Sequence, residues 1–268
     1  MTLVLGLLTA GAVAGLLAGL LGVGGGIVIV PALYALFSLL ELDVSIRMPL
    51  AVGTSLATIV FTATSSTLAH RRRQSVEVSL LRSFLPWLIL GVGLGSLVVN
   101  FAATGAMLLI FATIAILVAI YMAFVPQGVT LARGLPRGPV RWLVATFIGA
   151  VSSIMGIGGG TLSVPAFTLA GYPVRLAVGT GAAIGFIISV PATISMILLG
   201  WGNPHLPVGS LGFVNLLGFI IIVPMTMLTA PLGARLAHRI PPLMLRRAFA
   251  LFLAITGARM YFEWAGLA

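Results

Sequence analysis

The sequence predicts an all-α, polytopic integral membrane protein. About eight to ten hydrophobic segments fall into two homologous halves, arranged as an inverted repeat with Gly-broken or re-entrant helices. Three observations predict this: a composition that cannot cover a water-facing surface, an internal duplication, and loop charges that alternate between the halves.

Of the 268 residues, 60% are hydrophobic and only 7% are charged, and mean hydropathy is +1.23. A soluble domain carries about 25% charged residues. A large soluble globule, a disordered chain and a fibre are therefore excluded. The length suits about nine or ten spans of about 20 residues and leaves nothing for a separate soluble domain. All 14 basic residues are Arg, set against four acidic residues, for a net charge of +10. In a soluble protein this excess would suggest nucleic acid. In a membrane protein it sits in cytoplasmic loops and sets orientation, so no nucleic-acid partner is expected. The absence of Cys excludes disulfides and thiolate chemistry. Of the three His, His70 and His238 adjoin Arg, which leaves His205 and little material for a metal site. Neither a metal nor a cofactor is expected.

The first apolar segment, Met1 to Leu21, lacks a basic region before it and reads as a membrane segment rather than a cleaved signal. Four more follow in the first half, at about 27–40, 50–69, 83–99 and 104–124. The second half repeats the five at about 142–156, 161–171, 177–199, 211–230 and 248–264. The stretch from Gly22 to Leu33 recurs from Gly156 to Phe167, at an offset of 134. Ala51-Val-Gly-Thr54 recurs as Ala177-Val-Gly-Thr180, at an offset of 126. The expected division is a first membrane repeat at 1–125, a cytoplasmic linker at 126–140 rich in Gly, Pro and Arg, and a second repeat at 141–268. Thr161 to Gly171 is too short to cross about 30 Å as a helix. Each Gly-rich motif therefore either joins two half-helices in a re-entrant hairpin or breaks a full span.

Charge assigns sidedness. The loop after the third segment carries Arg71, Arg72, Arg73 and Arg82, whereas its counterpart, Gly200 to Ser210, has no Arg. The loop after the fourth segment reverses this: Asn100 to Gly105 is uncharged, and its counterpart carries Arg235, Arg239, Arg246 and Arg247. Under the positive-inside rule the halves face opposite ways. Five segments per half is the odd number an inverted repeat needs, and both termini are then expected on the outer side; parallel four-span halves, with the Gly hairpins outside the count, are the alternative. The triple-Arg run would also touch anionic membrane lipid.

The glycine clusters are the leading site candidates. Gly24, Gly25, Gly26 and Gly158, Gly159, Gly160 cannot be good helix interior, since each Gly costs about 1 kcal/mol against Ala. Broken backbone at membrane depth survives only where protein buries it or a watery cavity meets it. A helix restarting after each cluster would present free N–H groups and the positive end of its dipole. Two such ends facing each other hold a small anion without a buried Arg. Close packing of small residues is the competing explanation. No Lys follows either cluster, so a nucleotide-binding P-loop is excluded. The second matched pair, Gly53-Thr54-Ser55 and Gly179-Thr180-Gly181, offers hydroxyls from Thr54, Ser55 and Thr180 as further donors, although a Thr can instead bond its own helix. No carboxylate lies clearly in mid-span, so an Asp/Glu proton relay is unsupported.

The duplicated Gly/Pro motif, the AVGTS-type segment, and Pro231-Leu-Gly-Ala-Arg235-Leu-Ala-His238-Arg239-Ile-Pro241 followed by Arg246-Arg247-Ala-Phe249 resemble the TauE/SafE family of sulfite exporters. The likeness covers nearly the whole chain. It implies a plasma-membrane transporter that exports sulfite or related organosulfur anions. Gly22 to Gly26, Pro31, Gly53 to Ser55, Gly156 to Gly160, Pro165 and Gly179 to Gly181 match the family-type positions. Gly181 stands where the first half has Ser55, which removes one hydroxyl and argues against a strictly symmetric site. The expected function is secondary transport of a small anion. A passive anion channel of the same architecture is the alternative. A membrane-embedded enzyme would need polar catalytic residues in the spans, and the sequence offers almost none.

Overall fold

A computed structural model of the chain describes residues 2–21, 25–102, 104–125, 129–130, 134–135, 138–237 and 241–266. Among them are ten helices: α1 (Thr2–Leu21), α2 (Gly26–Leu39), α3 (Val44–Arg72), α4 (Val78–Phe101), α5 (Thr104–Phe124), α6 (Pro139–Met155), α7 (Gly160–Leu169), α8 (Val174–Leu199), α9 (Leu216–Ala237) and α10 (Pro242–Trp264). A two-residue antiparallel ladder joins β1 (Ser210–Leu211) to β2 (Val214–Asn215) ahead of α9. Helices α3, α4, α5 and α8 are each long and apolar enough to cross a bilayer. The chain is thus an all-α integral membrane protein. Each expected apolar segment corresponds to one helix, but the segment expected at 211–230 opens with the β1–β2 ladder and its helix begins only at Leu216. Most run a few residues further than the apolar stretch, because polar caps and Arg-bearing turns continue the helix beyond it.

Local chemistry sets the ends. Asp43 caps α3, accepting from the Ser45 N–H at 2.8 Å and the Ser45 hydroxyl at 2.6 Å. His70, Arg71 and Arg72 occupy the last turn of α3, where cations complement the helix dipole. Asn215 caps α9 by accepting the Gly218 N–H at 2.7 Å. Gly156 ends α6 at φ 65°, the left-handed conformation that frees the chain to reverse.

Helices in lipid gain little from burying apolar surface against one another, so small residues that allow close approach decide the packing. Gly11 and Gly15 of α1 lie against Ile222, Met225, Thr226 and Thr229 of α9. Gly91 and Gly95 of α4 lie against Thr146, Ala150 and Ser153 of α6. Residue numbers rise together across both seams, so each pair is parallel. The other two large contacts run antiparallel. Along α3 and α8, Gly53 meets Met196, Ala63 meets Gly185 and His70 meets Gly179. Along α5 and α10, Gly105 meets Trp264, while Gly257 meets Ala112, Ala115 and Ile116.

Helices α1 and α2 fold back as a hairpin, with Gly25 against Ala14 and Ala18, and Gly6 against Leu36. Helix α7 likewise returns to the end from which α6 starts, where the Gly134 N–H bonds the Ala170 carbonyl at 2.8 Å. At 10 residues α7 rises about 15 Å, half the hydrocarbon thickness. Gly25 and Gly26, and Gly156 to Gly160, therefore lie at hairpin tips rather than at kinks in continuous spans.

The two ends of the bundle differ in charge. One gathers Arg71, Arg72, Arg73, Arg82, Arg141, Arg175, Arg246 and Arg247. It is tied together by the Tyr121–Thr168 hydroxyl contact at 3.3 Å and by Arg246, which donates to the Tyr121 carbonyl at 2.8 Å. The other end holds Arg47 and Arg259 with Glu41, Asp43 and Glu263. There the Thr104 hydroxyl donates to the Ser45 carbonyl at 3.0 Å, and His205 approaches Asp43 at 3.8 Å.

Candidate functional site

The tips of the two hairpins meet inside the bundle. A Cβ added at Gly26 would lie 2.6 Å from the Gly156 carbonyl oxygen and 3.0 Å from the Ile157 Cα. The same carbonyl accepts the Ser55 hydroxyl at 2.7 Å. Helix α2 begins at this contact: Gly25, at φ 78°, accepts the N–H groups of Val28 and Ile29 at 3.0 and 3.1 Å. Helix α7 begins beside it, with the Thr161 and Ser163 N–H groups bonded to the carbonyls of Gly158 and Gly159 at 3.2 and 2.9 Å. The start of α2 thus lies against the residues that follow α6, and α7 begins four residues after Gly156; each helix start carries the positive end of its dipole.

The expected site residues divide into three groups. Gly25, Gly26, Gly158, Gly159 and Gly160 belong to the two tips, and Ser55 of α3 bonds the Gly156 carbonyl beside them. Gly181 stands close by: a Cβ there would lie 3.0 Å from the Ser163 hydroxyl oxygen and 3.2 Å from the Gly160 Cα. Gly24 lies outside the described residues.

The third group is Thr54 and Thr180, and the structure does not bring them together. The antiparallel register of α3 and α8 sets them about 15 residues apart along the pair, roughly 22 Å at 1.5 Å per residue. Each ties down the opposite half of the chain. Thr54 accepts the Asn215 N–H at 2.9 Å and donates to the Leu50 carbonyl at 2.7 Å. Thr180 accepts the Glu77 N–H at 3.0 Å. The glycines before them allow this approach, for a side chain on Gly53 would strike the Phe213 carbonyl and one on Gly179 the Ser75 carbonyl. Both Thr are fully buried.

Several polar groups near the tips were not singled out from the sequence. The hydroxyls of Ser152, Thr161 and Ser163 are buried without a hydrogen-bond partner. Their signal was present in the duplication. At the offset of 134 they correspond to Ala18, Ile27 and Ile29, so only the second copy carries hydroxyls at these positions. Outside the membrane segments, the hydroxyl and N–H of Ser45 hold the exposed Asp43 carboxyl below the ordinary carboxylate range. Among the described residues no group of three or more His, Asp or Glu side chains could hold a metal ion.

Comparison with known proteins finds membrane-transporter relatives along nearly the whole chain. The sulfite exporter TauE/SafE family profile matches residues 7–260. A Haemophilus influenzae protein named "Probable membrane transporter protein" is 34% identical over 264 residues, covering 98% of this chain and 99% of its own. A Bacillus subtilis protein of the same description is 28% identical, with 96% and 97% covered. One from Methanocaldococcus jannaschii is 26% identical, with 95% and 94% covered. No solved structure matches the chain. Matched across nearly its whole length in profile and relatives alike, the chain belongs to the sulfite exporter TauE/SafE family.

Proposed function

We propose that the protein is a secondary transporter that exports a small anion, such as sulfite or an organosulfonate, through a site at the middle of two inverted repeats. The observation that carries this reading is the meeting of the two hairpin tips, Gly26 against Gly156 and Ile157, with α2 starting at that contact and α7 starting four residues after Gly156. Helix N-termini hold anions through unbonded N–H groups and dipole potential. In a chain with so few charged residues they are the available means of doing so. The family name and the names of the relatives point to transport rather than catalysis.

The inverted arrangement is supported by the antiparallel pairs α3–α8 and α5–α10. Each joins a helix to its own counterpart in the other half. A two-fold axis that relates antiparallel membrane-crossing helices lies perpendicular to them, in the membrane plane. The Arg-rich end is then cytoplasmic. On this reading the start of α1 and the end of α10, which lie at the Arg-poor end, face the outer side, and the membrane is the plasma membrane.

Binding of sulfite, methanesulfonate and acetate to the purified protein, followed by counterflow in proteoliposomes, tests the reading. Saturable exchange accelerated by anion on the far side is expected. Failure of every small anion to bind would overturn it.

A further inference from the structure

Two of the four tryptophans meet near the Arg-rich end of the bundle. Trp87 of α4 and Trp142 of α6 stack with ring centroids 4.8 Å apart and planes 17° from parallel. They lie on the seam where Gly91 and Gly149 bring these two helices together. The stack is open to the lipid side, with Trp142 43% exposed. Arg82, also exposed, stands five residues before Trp87, and Arg141 directly precedes Trp142. Five helical residues rise about 7.5 Å, so Arg82 lies nearer the membrane surface than the stack. The face that Arg82 heads continues as an apolar stripe. Leu85, Ile89 and Leu97 of α4 are exposed along it, with Leu143 and Phe147 of α6 alongside. A side chain on Gly93, in the same stripe, would meet nothing within 4 Å.

The duplicated seam, α1 on α9, lacks all four of these groups. At the offset of 134, Arg141 and Trp142 correspond to Leu7 and Leu8. Leu94-Gly95 recurs as Leu232-Gly233, and at that offset of 138 Arg82 and Trp87 correspond to Ile220 and Met225. The two seams pack in the same way, since Gly15 lies against Thr226 and Thr229 as Gly149 lies against Leu88. Joining the helices therefore requires neither the arginines nor the tryptophans. Membrane orientation accounts for arginine at this end. It does not require two tryptophans stacked on one seam directly beneath. Glu77 is the one acidic residue at this end, and its carboxylate accepts the Ser79 hydroxyl at 2.6 Å.

We propose that the Arg-rich end of the α4–α6 seam is a binding site for an anionic phospholipid. Its headgroup phosphate is held by Arg82, with Arg141 as the second charge. Its glycerol esters rest on the Trp87–Trp142 stack, and an acyl chain follows the open stripe past Gly93. The order of groups with depth is the same on both partners. The lipid presents charge, then esters, then hydrocarbon, and the seam presents guanidinium, then indole, then aliphatic side chains. Guanidinium matches phosphate through its planar fork of donors. Indole rings settle at the level between headgroup and hydrocarbon. Basic groups at the membrane surface favour anionic over neutral lipid. A zwitterionic lipid brings its own cation to the arginines and loses that advantage. The site faces lipid, away from the hairpin tips, and does not depend on what the protein transports.

The test reads quenching of tryptophan fluorescence by brominated lipid. The full-length protein carries Trp201→Phe and Trp264→Phe, so that only the stacked pair emits. It is reconstituted in phosphatidylcholine vesicles with a rising fraction of dibrominated phosphatidylglycerol or, in parallel, dibrominated phosphatidylcholine. Half-maximal quenching should come at a roughly fivefold lower fraction of the brominated anionic lipid. Raising salt from about 0.1 M to about 1 M should narrow the difference. Arg82→Gln with Arg141→Gln should abolish the preference at an unchanged melting temperature, whereas Arg259→Gln, at the other end of the bundle, should keep it. Equal quenching by the two lipids before any Arg is replaced would overturn the site. So would a preference that survives the double substitution. If the double variant does not fold, Arg82→Gln alone decides: this exposed residue can be changed without loss of packing, and an undiminished preference in it would overturn the assignment.

Discussion

The hydroxyl of Thr180, near the start of α8, accepts the backbone N–H of Glu77, the residue that opens α4, at 3.0 Å across 103 positions of sequence. Thr54 makes the matching bond to Asn215, the residue that opens α9, at 2.9 Å. Each Thr thus anchors the fourth helix of the other half, one at each end of the bundle. Replacing either by Val removes the acceptor and leaves a backbone N–H without its partner, at a cost of about 1–3 kcal/mol. Thermal unfolding in detergent should show both variants destabilised. Their methanesulfonate affinity should stay near wild type, because both residues lie about 11 Å along the helices from the centre of the α3–α8 pair. Unchanged melting of both would remove the tethering role.

Gly26→Ala tests the contact between the tips. The added Cβ would stand 2.6 Å from the Gly156 carbonyl oxygen, which is backbone and cannot rotate away. Overpacking of this kind costs about 1–3 kcal/mol. A lowered melting temperature is the expected outcome. Wild-type stability would mean that the tips are further apart than described.

Topology can be read by labelling, because the chain has no Cys to give background. Single cysteines at Arg72, Val208 and Ala265 all occupy exposed positions, Val208 being 97% exposed. A membrane-impermeant maleimide applied from outside should label Val208→Cys and Ala265→Cys but spare Arg72→Cys. Labelling of Arg72→Cys together with Val208→Cys would sink the inverted arrangement.

A transporter and a passive channel part company in counterflow. Proteoliposomes preloaded with unlabelled sulfite should take up labelled sulfite faster than empty ones, and the rate should saturate. A rate indifferent to internal anion would favour the channel.

The cap on α3 predicts an acid response. Asp43 has a carboxyl held low by Ser45, so its contribution is present above the ordinary carboxylate pKa and lost as pH falls through the lowered value. Asp43→Ala should therefore melt below wild type at neutral pH, and the gap should close on acidification. A gap that is the same at both pH values would exclude the cap as its origin.

Much of the fold was legible because lipid imposes it. An apolar stretch in hydrocarbon must be helical to satisfy its backbone, so segments such as 104–124 appear in the sequence with their final bounds. The breaks were legible too, since three consecutive Gly end a helix wherever they fall. The short β1–β2 ladder was not, because its strands are two residues long and carry no alternation. The pairing of Thr54 with Thr180 in one site was an inference from motif similarity alone. Likeness of sequence does not say whether two helices pack in parallel register or antiparallel.

The sequence by itself determined that the chain lives in a membrane, that it is duplicated, and where its helices break, because composition and backbone propensity act locally. It also held the surplus of arginine that marks one face of the membrane. Only the tertiary structure decided what the duplicated parts do for each other. Antiparallel packing of α3 on α8 sends Thr54 and Thr180 to opposite ends as anchors, and it brings Gly26 onto Gly156. It also sets Ile59 beside one tip and Gly185 beside the other. Those outcomes depend on which surfaces approach closely enough to touch, and that is fixed by packing between segments far apart in the chain.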